Sequence, residues 1–568
     1  MKNEKHRKKR KKTEEEIVVE TMEEMLYSRN MKKWGFDLNP FVSITAGVLI
    51  LILSIYAFVS TAELFGLRPA HEVFDDWTGF VVDYFDWVFI MVANFLIILS
   101  FYLAFSKLGR VRIGGVRQRP EFSNFAWYSM LISAGMGIGL MFWAVGEPLT
   151  HSRVMPPVFT GEGVNIGAMA TTFLHWGLHP WSIYAVLALA LSYFAYNKKL
   201  PLSLRSLFYP LFKEKVFGRL GDVIDLLAVL ATLFGLATSL GLGVQQINSG
   251  LEHLVGLPFS VTIQVVLIVL ITAVATISII SGIDKGVKFL SKMNMRIAAV
   301  FMILILLLGP SLFILRLYTS SFGAFLGGFA PAAFFLALDD VAAREWQGGW
   351  TIFYWAWWIS WSPFVGMFIA RVSKGRTIRE LIVAVLVVPS MLSFFWLSVF
   401  GGTAFSVDAA MGGGLFDLAQ ENIAGAMFEM IANLDIAFLR GAFVIILSTI
   451  ATVLVIFFFI TSSDSGSIVV NAITSGGKTD TKARQRVFWA AMEGLIAAVL
   501  LVIGGEQALQ ALQNAVILTG LPFAIILLVM SVLLVFSLKS THRTQQYKRD
   551  VRLVKKVLED EDVEIEIN

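Results

Sequence analysis

The chain has 568 residues, of which 56% are hydrophobic and only 15% charged, and its mean hydropathy is +0.71. A water-soluble domain cannot hide that much apolar surface, so the composition specifies a polytopic membrane protein. The net charge of +4 sits in short loops, which excludes a nucleic-acid reader, and with no Cys there are no disulfides or thiolate metal sites.

Residues 1–40 read as a charged tail. Lys2 to Lys12 are followed by Glu14, Glu15 and Glu16 with no apolar core, so this is not a cleavable signal. Apolar runs of about 18 to 25 residues then predict an all-α fold of twelve spans. They lie at 41–60, 84–105, 123–146, 167–195, 222–243, 258–280, 297–317, 350–371, 378–400, 438–461, 486–504 and 512–537. The loops at 106–121, 197–219, 284–296, 371–379 and 478–486 are basic, whereas the intervening loops are neutral or acidic. The positive-inside rule therefore places both termini in the cytoplasm. Residues 321–347 predict an amphipathic helix on the outer face, a candidate subunit contact. Residues 539–568 form a second tail, basic and then acidic. Its basic part, like the other basic loops, is suited to anionic lipid.

The third span contains Ser133, then Gly135, Gly137 and Gly139 at alternate positions. Such a turn is either a close-packing face or an unwound segment whose backbone faces a ligand. The fourth span carries Trp176, Trp181 and Tyr184 on one broad helical face. In the eighth span, residues 350–361 hold five Trp and one Tyr and no charge. Tyr354, Trp357, Trp358 and Trp361 fall within an arc of roughly 100°. Such a row serves as an interfacial belt or as a cage for a cation that donates no hydrogen bonds. Asp and Glu are scarce in mid-span, which favours a zwitterion over a net cation. Amides at the Gly135–Gly139 break would hold its carboxylate. The tenth span ends at Thr461 and Ser462, whose hydroxyls suit a hard cation or simply bond back along the helix.

Two interrupted spans, the third and the eighth, stand five apart. That spacing predicts two inverted five-helix halves, spans 3–7 and 8–12, with two extra N-terminal helices. Glu147-Pro148 reads as the stop of the third span. Asp225 and Asp464 read as span-end residues. His175 and His179 lack a third metal ligand and read as packing residues.

The run from Trp350 to Trp358, with Gly135–Gly139, His175 to Tyr184 and Thr461-Ser462, resembles the betaine–choline–carnitine transporter family over residues 35 to 540. The resemblance implies a LeuT-like core, a homotrimer in the bacterial inner membrane and secondary active uptake of a compatible solute in osmoprotection. It implies that Trp176, Trp181, Tyr184 and Trp358 form an aromatic box, and that Trp357 and Trp361 line the access path. Met136 would serve both substrate and ion. Sodium would be held by Ser133, Met136, Phe458, Thr461 and Ser462, and a second sodium by Thr238, Ser239 and Phe364. Proton-coupled choline carriers of this family tend to carry Asp where Gly139 stands. Sodium-independent carnitine exchangers replace the hydroxyls kept here at 461 and 462. Both differences point to sodium symport of a zwitterion, glycine betaine first, with ectoine, proline and carnitine fitting a similar cage. Proton-coupled choline uptake or carnitine exchange is the alternative on the same fold. A channel or osmosensor is the alternative from another class. No nucleophile–base constellation or nucleotide motif supports an enzyme.

Overall fold

In a hydrocarbon medium every backbone N–H and C=O must be satisfied within its own segment, which leaves helices as the economical solution. The computed structural model describes residues 24, 26–27, 29–61, 64–135, 137–154, 156–280, 284–436, 439–478 and 482–560. Its long helices are α1 (Pro40–Thr61), α2 (Ala70–Phe105), α3 (Asn124–Gly135), α4 (Ile138–Arg153), α5 (Val164–Trp176), α6 (Leu178–Ser192), α7 (Arg219–Val255) and α8 (Val261–Ile280). They continue as α9 (Asp284–Leu308), α10 (Ser311–Ala333), α11 (Phe353–Val372), α12 (Ile378–Ala410), α13 (Arg440–Thr474), α14 (Ala483–Gly504) and α15 (Ala508–Asp560).

Among the described residues, nine helices are long and apolar enough to cross a membrane, and the pair α3–α4, bent by 62°, makes a tenth. Trp, Tyr and Ser lower the hydropathy of α11 and keep it out of that count. The protein is thus an all-α, multi-pass membrane protein. Burial separates inner from outer helices. It reaches 89% along Val164–Asn197 but only 28% for α1, α8 and α10, whose exposed Ile52, Phe58, Ile277 and Leu312 suit lipid contact. The inner layer is made by α6 against α11 and by α7 against α13, with α8 packed on α14.

Several predicted boundaries move, each for a local reason. The seventh span does not reach 317. Pro310 supplies no N–H, so α9 stops at Leu308 and α10 starts afresh at Ser311. The basic segment 284–296 is the first half of α9, and the expected helix 321–347 ends at Ala333, before a short helix Val341–Gln347. The eighth span is not broken at Ser360–Pro363. Pro363 deprives the Ile359 carbonyl of its donor, and the Ser362 hydroxyl supplies one at 2.7 Å, so α11 runs straight through. Pro148 likewise does not end α4, which continues to Arg153, and α13 runs past Ser462 to Thr474. The helix of the last span continues through much of the predicted C-terminal tail to Asp560.

Part of the predicted N-terminal tail is folded onto the bundle. Strands β1 (Met31–Lys33) and β2 (Phe36–Leu38) form a hairpin. Lys478 pairs with Asp37 at 2.5 Å and, with Asn30, holds this carboxyl below its ordinary value although partial burial pushes it up. Beside it lies a buried charge knot. Arg205 contacts Asp222 at 3.1 Å and Asp225 at 2.7 Å, and all three side chains are fully buried. Arg29 and Asn39 also donate to Asp222, at 2.8 and 2.7 Å. Asp225 is therefore half of a buried ion pair rather than a free span-end residue. Arg205→Met leaves two facing carboxylates in a dry site, a loss of about 3–5 kcal/mol. The expected readout is a marked fall in the melting temperature of detergent-solubilised protein. Arg68→Met, at the exposed Arg68–Asp76 pair, should leave that temperature unchanged.

Candidate substrate and ion site

The fourth span is divided at Gly177, a break that no proline announces. Its φ of −99° and ψ of −123° are not helical, and a Cβ there would stand 2.6 Å from the Phe173 carbonyl oxygen and from Phe394. Pro180 falls in the first turn of α6, where its missing N–H costs nothing. The break sets Trp176 at the end of α5 and turns Trp181 and Tyr184 of α6 toward α11.

The four rings of the predicted box lie in contact. Trp176 meets Trp358 edge-on with ring centroids 4.9 Å apart, Tyr184 meets Trp358 at 6.4 Å, and Trp181 meets Tyr184 at 5.5 Å. All four are buried. Trp357 stacks on Trp358 at 4.8 Å, and Tyr354 extends the wall 5.8 Å from Trp358. Three of the indole N–H groups are engaged by neighbours behind the rings. Trp176 Nε1 donates to Glu147 Oε2 at 2.7 Å, Trp358 Nε1 to the His175 carbonyl at 3.0 Å, and Trp357 Nε1 to Ser239 Oγ at 3.3 Å. What remains toward the interior is ring surface, which attracts a cation without asking it for a hydrogen bond. The Tyr184 hydroxyl is buried and without a partner.

Gly139 and Gly137 lie against this cage. A Cβ on Gly139 would stand 2.7 Å from Trp357 and 3.0 Å from Trp176, and one on Gly137 would stand 3.8 Å from Trp361. Gly137 is extended and begins α4 without a side chain to cap it, so the helix starts beside Trp361. Gly135 ends α3, whereas Met136 lies outside the described residues.

A cavity of about 120 Å³ is lined by Ser133, Trp361, Phe364, Phe458, Thr461 and Ser462, with Asn294 and Ser465. The described members of the first predicted ion set therefore converge on one space. The Thr461 hydroxyl donates to the Phe457 carbonyl at 2.8 Å and keeps its lone pairs available. The second set is divided with respect to this cavity. Phe364 lines the cavity, but Thr238 and Ser239 do not. The Thr238 hydroxyl donates to the Leu512 carbonyl, and the Ser239 hydroxyl donates to the Gly235 carbonyl.

The sequence reading missed the acids. Glu147 is fully buried, and besides Trp176 it accepts from Tyr354 and from His175 Nδ1, the latter at 2.7 Å. Its spacing of four from His151, on a helix that Pro148 does not stop, was the available signal. Asp464 is buried inside α13 rather than at its end, and Glu493 is buried in α14, where the Ser463 hydroxyl donates to it at 3.2 Å. Glu147, His151 and His175 bring ligand-type atoms within 4.8 Å of one another. They fit hydrogen bonding better than a metal. Two ligands on a tetrahedral zinc stand about 3.3 Å apart, whereas His175 and Glu147 are 2.7 Å apart and His175 Nε2 is engaged with Thr351 at 3.1 Å. His179 packs between Trp355 and Phe329 and faces Asn94 at 3.2 Å.

Comparison with known proteins identifies the family. The profile described as "BCCT, betaine/carnitine/choline family transporter" matches residues 41–543. Glycine betaine transporter 1 of Vibrio parahaemolyticus is 46% identical over 517 residues, covering 90% of this chain and 96% of that protein. A glycine betaine/proline/choline/ectoine transporter of the same organism is 43% identical over 532 residues, 92% of this chain and 91% of its own length. The glycine betaine transporter OpuD of Bacillus subtilis is 40% identical over 467 residues, 82% of this chain and 89% of its own. This chain belongs to the betaine/carnitine/choline transporter family.

Proposed function

We propose that the protein takes up a zwitterionic quaternary-ammonium solute, glycine betaine above all, by sodium symport with alternating access. The observation that carries this reading is the cage, whose indole N–H groups on Trp176, Trp357 and Trp358 are all engaged outside it. A trimethylammonium group has no N–H to offer and matches such a lining. The solute's carboxylate would meet the open amides at the start of α4, and sodium would occupy the cavity of Ser133, Phe458, Thr461 and Ser462. Glycine betaine transporters among the relatives in Vibrio and Bacillus support the choice of solute.

The topology belongs to the same proposal: twelve spans, with spans 3–7 and 8–12 as inverted halves, in a homotrimer of the inner membrane. Loop contacts support the count. The 106–121 loop bonds to the 371–379 loop (Ile113 N to Arg376 O, 2.9 Å), the N-terminal segment to the end of α13 (Asn39 N to Thr474 O, 2.7 Å), and Arg153 to Asp408. Each contact requires an even number of crossings between its partners, since opposite faces are about 30 Å apart. Counting α9 and α11 as crossings, all three are satisfied only if α10 does not cross. Spans 5 and 10, and 6 and 11, would be mates about the repeat axis, and α7 packs on α13 as α8 does on α14. Both termini then lie on the cytoplasmic side with the basic loops, where anionic lipid collects.

One observation favours a second reading. Glu147 is a carboxylate directly behind the cage, which is a feature a net cation such as choline would use. Uptake of radiolabelled betaine and choline into proteoliposomes, with inward sodium or proton gradients, separates the two. Betaine accumulation only with sodium supports symport. Choline accumulation driven by protons moves the assignment.

Three variants test the site in that assay. Trp358→Ala removes a cage wall worth about 2 kcal/mol to a desolvated cation, so the betaine Km should rise by about 30-fold, and an unchanged Km would reject the cage. Thr461→Ala with Ser462→Ala should move sodium activation to much higher concentration, and an unaltered sodium dependence would leave these as helix residues only. Gly139→Ala should raise the betaine Km because its Cβ displaces Trp357 and Trp176. Wild-type kinetics there would mean that the rings can move aside freely.

A further inference from the structure

The walls of the cage come from α5, α6 and α11, yet two of the three helices are tied to one side chain on α4. Glu147 Oε2 accepts from Trp176 Nε1 of α5 at 2.7 Å and from the Tyr354 hydroxyl of α11. Its other oxygen faces His175 Nδ1 at 2.7 Å, and the carbonyl of His175 receives the Trp358 indole N–H at 3.0 Å. His175 is fixed in turn by Thr351 at 3.1 Å. Trp176, Tyr354 and Trp358 thus share one anchor, directly or through a single residue.

We infer that Glu147 is a positioning residue for substrate, one that fixes the ring geometry of the cage and makes its rings richer in electrons. The inference rests on the cage being the substrate site. Burying a carboxylate among membrane-spanning helices is costly, and packing alone would be served by an apolar residue. The carboxylate instead collects donors from the walls themselves. An indole N–H that donates to an anion is polarised toward it, which raises electron density over the ring face that a cation meets. Glu147 also lies on the helix that Gly137 begins and that contains Gly139, so the helix start and the anchor of the rings are parts of one element. A shift of α4 would carry the substrate's anionic and cationic subsites together.

The test uses the full-length protein in proteoliposomes and reads betaine Km and Vmax separately. Glu147→Gln removes the charge in nearly the same volume, and Tyr354→Phe removes a single hydroxyl while keeping its ring. Glu147→Gln is expected to raise Km about tenfold or more, the scale of a lost charged hydrogen bond, with Vmax within about twofold. Tyr354→Phe should raise Km about threefold, and the double variant should be no worse than Glu147→Gln alone, because both act on one bond. Unchanged Km in both single variants would overturn the proposal, as would effects that multiply in the double variant or a fall in Vmax alone. If Glu147→Gln does not fold, Tyr354→Phe decides, and a wild-type Km there would also overturn it. Absence of betaine uptake by the wild-type protein would instead remove the substrate reading on which the proposal rests.

Discussion

Polar groups inside a membrane-spanning bundle have no water to fall back on, and this one constraint organises the interior of the protein. Three buried acids are met by donors that lie outside their own helices. Glu147 collects Trp176, Tyr354 and His175, Asp222 collects Arg29, Asn39 and Arg205, and Glu493 receives Ser463. These contacts do what apolar packing in lipid does poorly, because hydrocarbon tails are as apolar as the side chains they would displace. They choose one register for each helix. The ring cluster follows from that choice: with the N–H groups of Trp176, Trp357 and Trp358 committed, those three indoles have their faces left to offer.

Glycine does the complementary work by removing volume. At Gly177 the helix is cut because a side chain would meet the Phe173 carbonyl and Phe394, and at Gly139 the rings of Trp357 and Trp176 occupy the place of a Cβ. The close approach of α4 to α5 and α11 therefore depends on a missing side chain, and the hydrogen bonds from Glu147 then hold the approach in place. A family member with Asp in place of Gly139 cannot keep both rings where they stand here. Its cage must be rearranged as well as recharged.

The aromatic site was legible in the sequence because its signals are local. Five Trp in the eighth span and the spacing of Trp176, Trp181 and Tyr184 name the box without reference to any distant residue. The polar anchors were not legible, since their partners lie far off along the chain. Glu147 stands 207 residues from Tyr354, and Ser463 stands 30 from Glu493. Asp225 read as a span-end residue because nothing near it announces Arg205 as a partner. Boundaries failed where one side chain reversed a usual rule. Pro148 and Pro363 both sit inside helices, and Ser463 and Asp464 interrupt the apolar pattern of α13 while remaining buried within it.

The two expected breaks behave differently, and the residues beside them say why. In α11 the carbonyl freed by Pro363 is taken by the adjacent Ser362 hydroxyl, so the helix closes over its own defect. Between residues 134 and 139 there is no hydroxyl at all, only Ala, Gly, Met and Ile. Nothing in that stretch can cap α4, and Gly137 in extended conformation leaves the first amides of the helix uncapped by any side chain. A helix start of this kind inside the bundle carries partial positive charge with no side chain of its own cap to neutralise it. It lies next to Trp357 and Trp361, rings whose faces favour positive charge. One short distance thus separates a place that attracts an anion from a place that attracts a methylated cation. A small zwitterion is the kind of solute that answers to both at once, and a net cation answers only to the second.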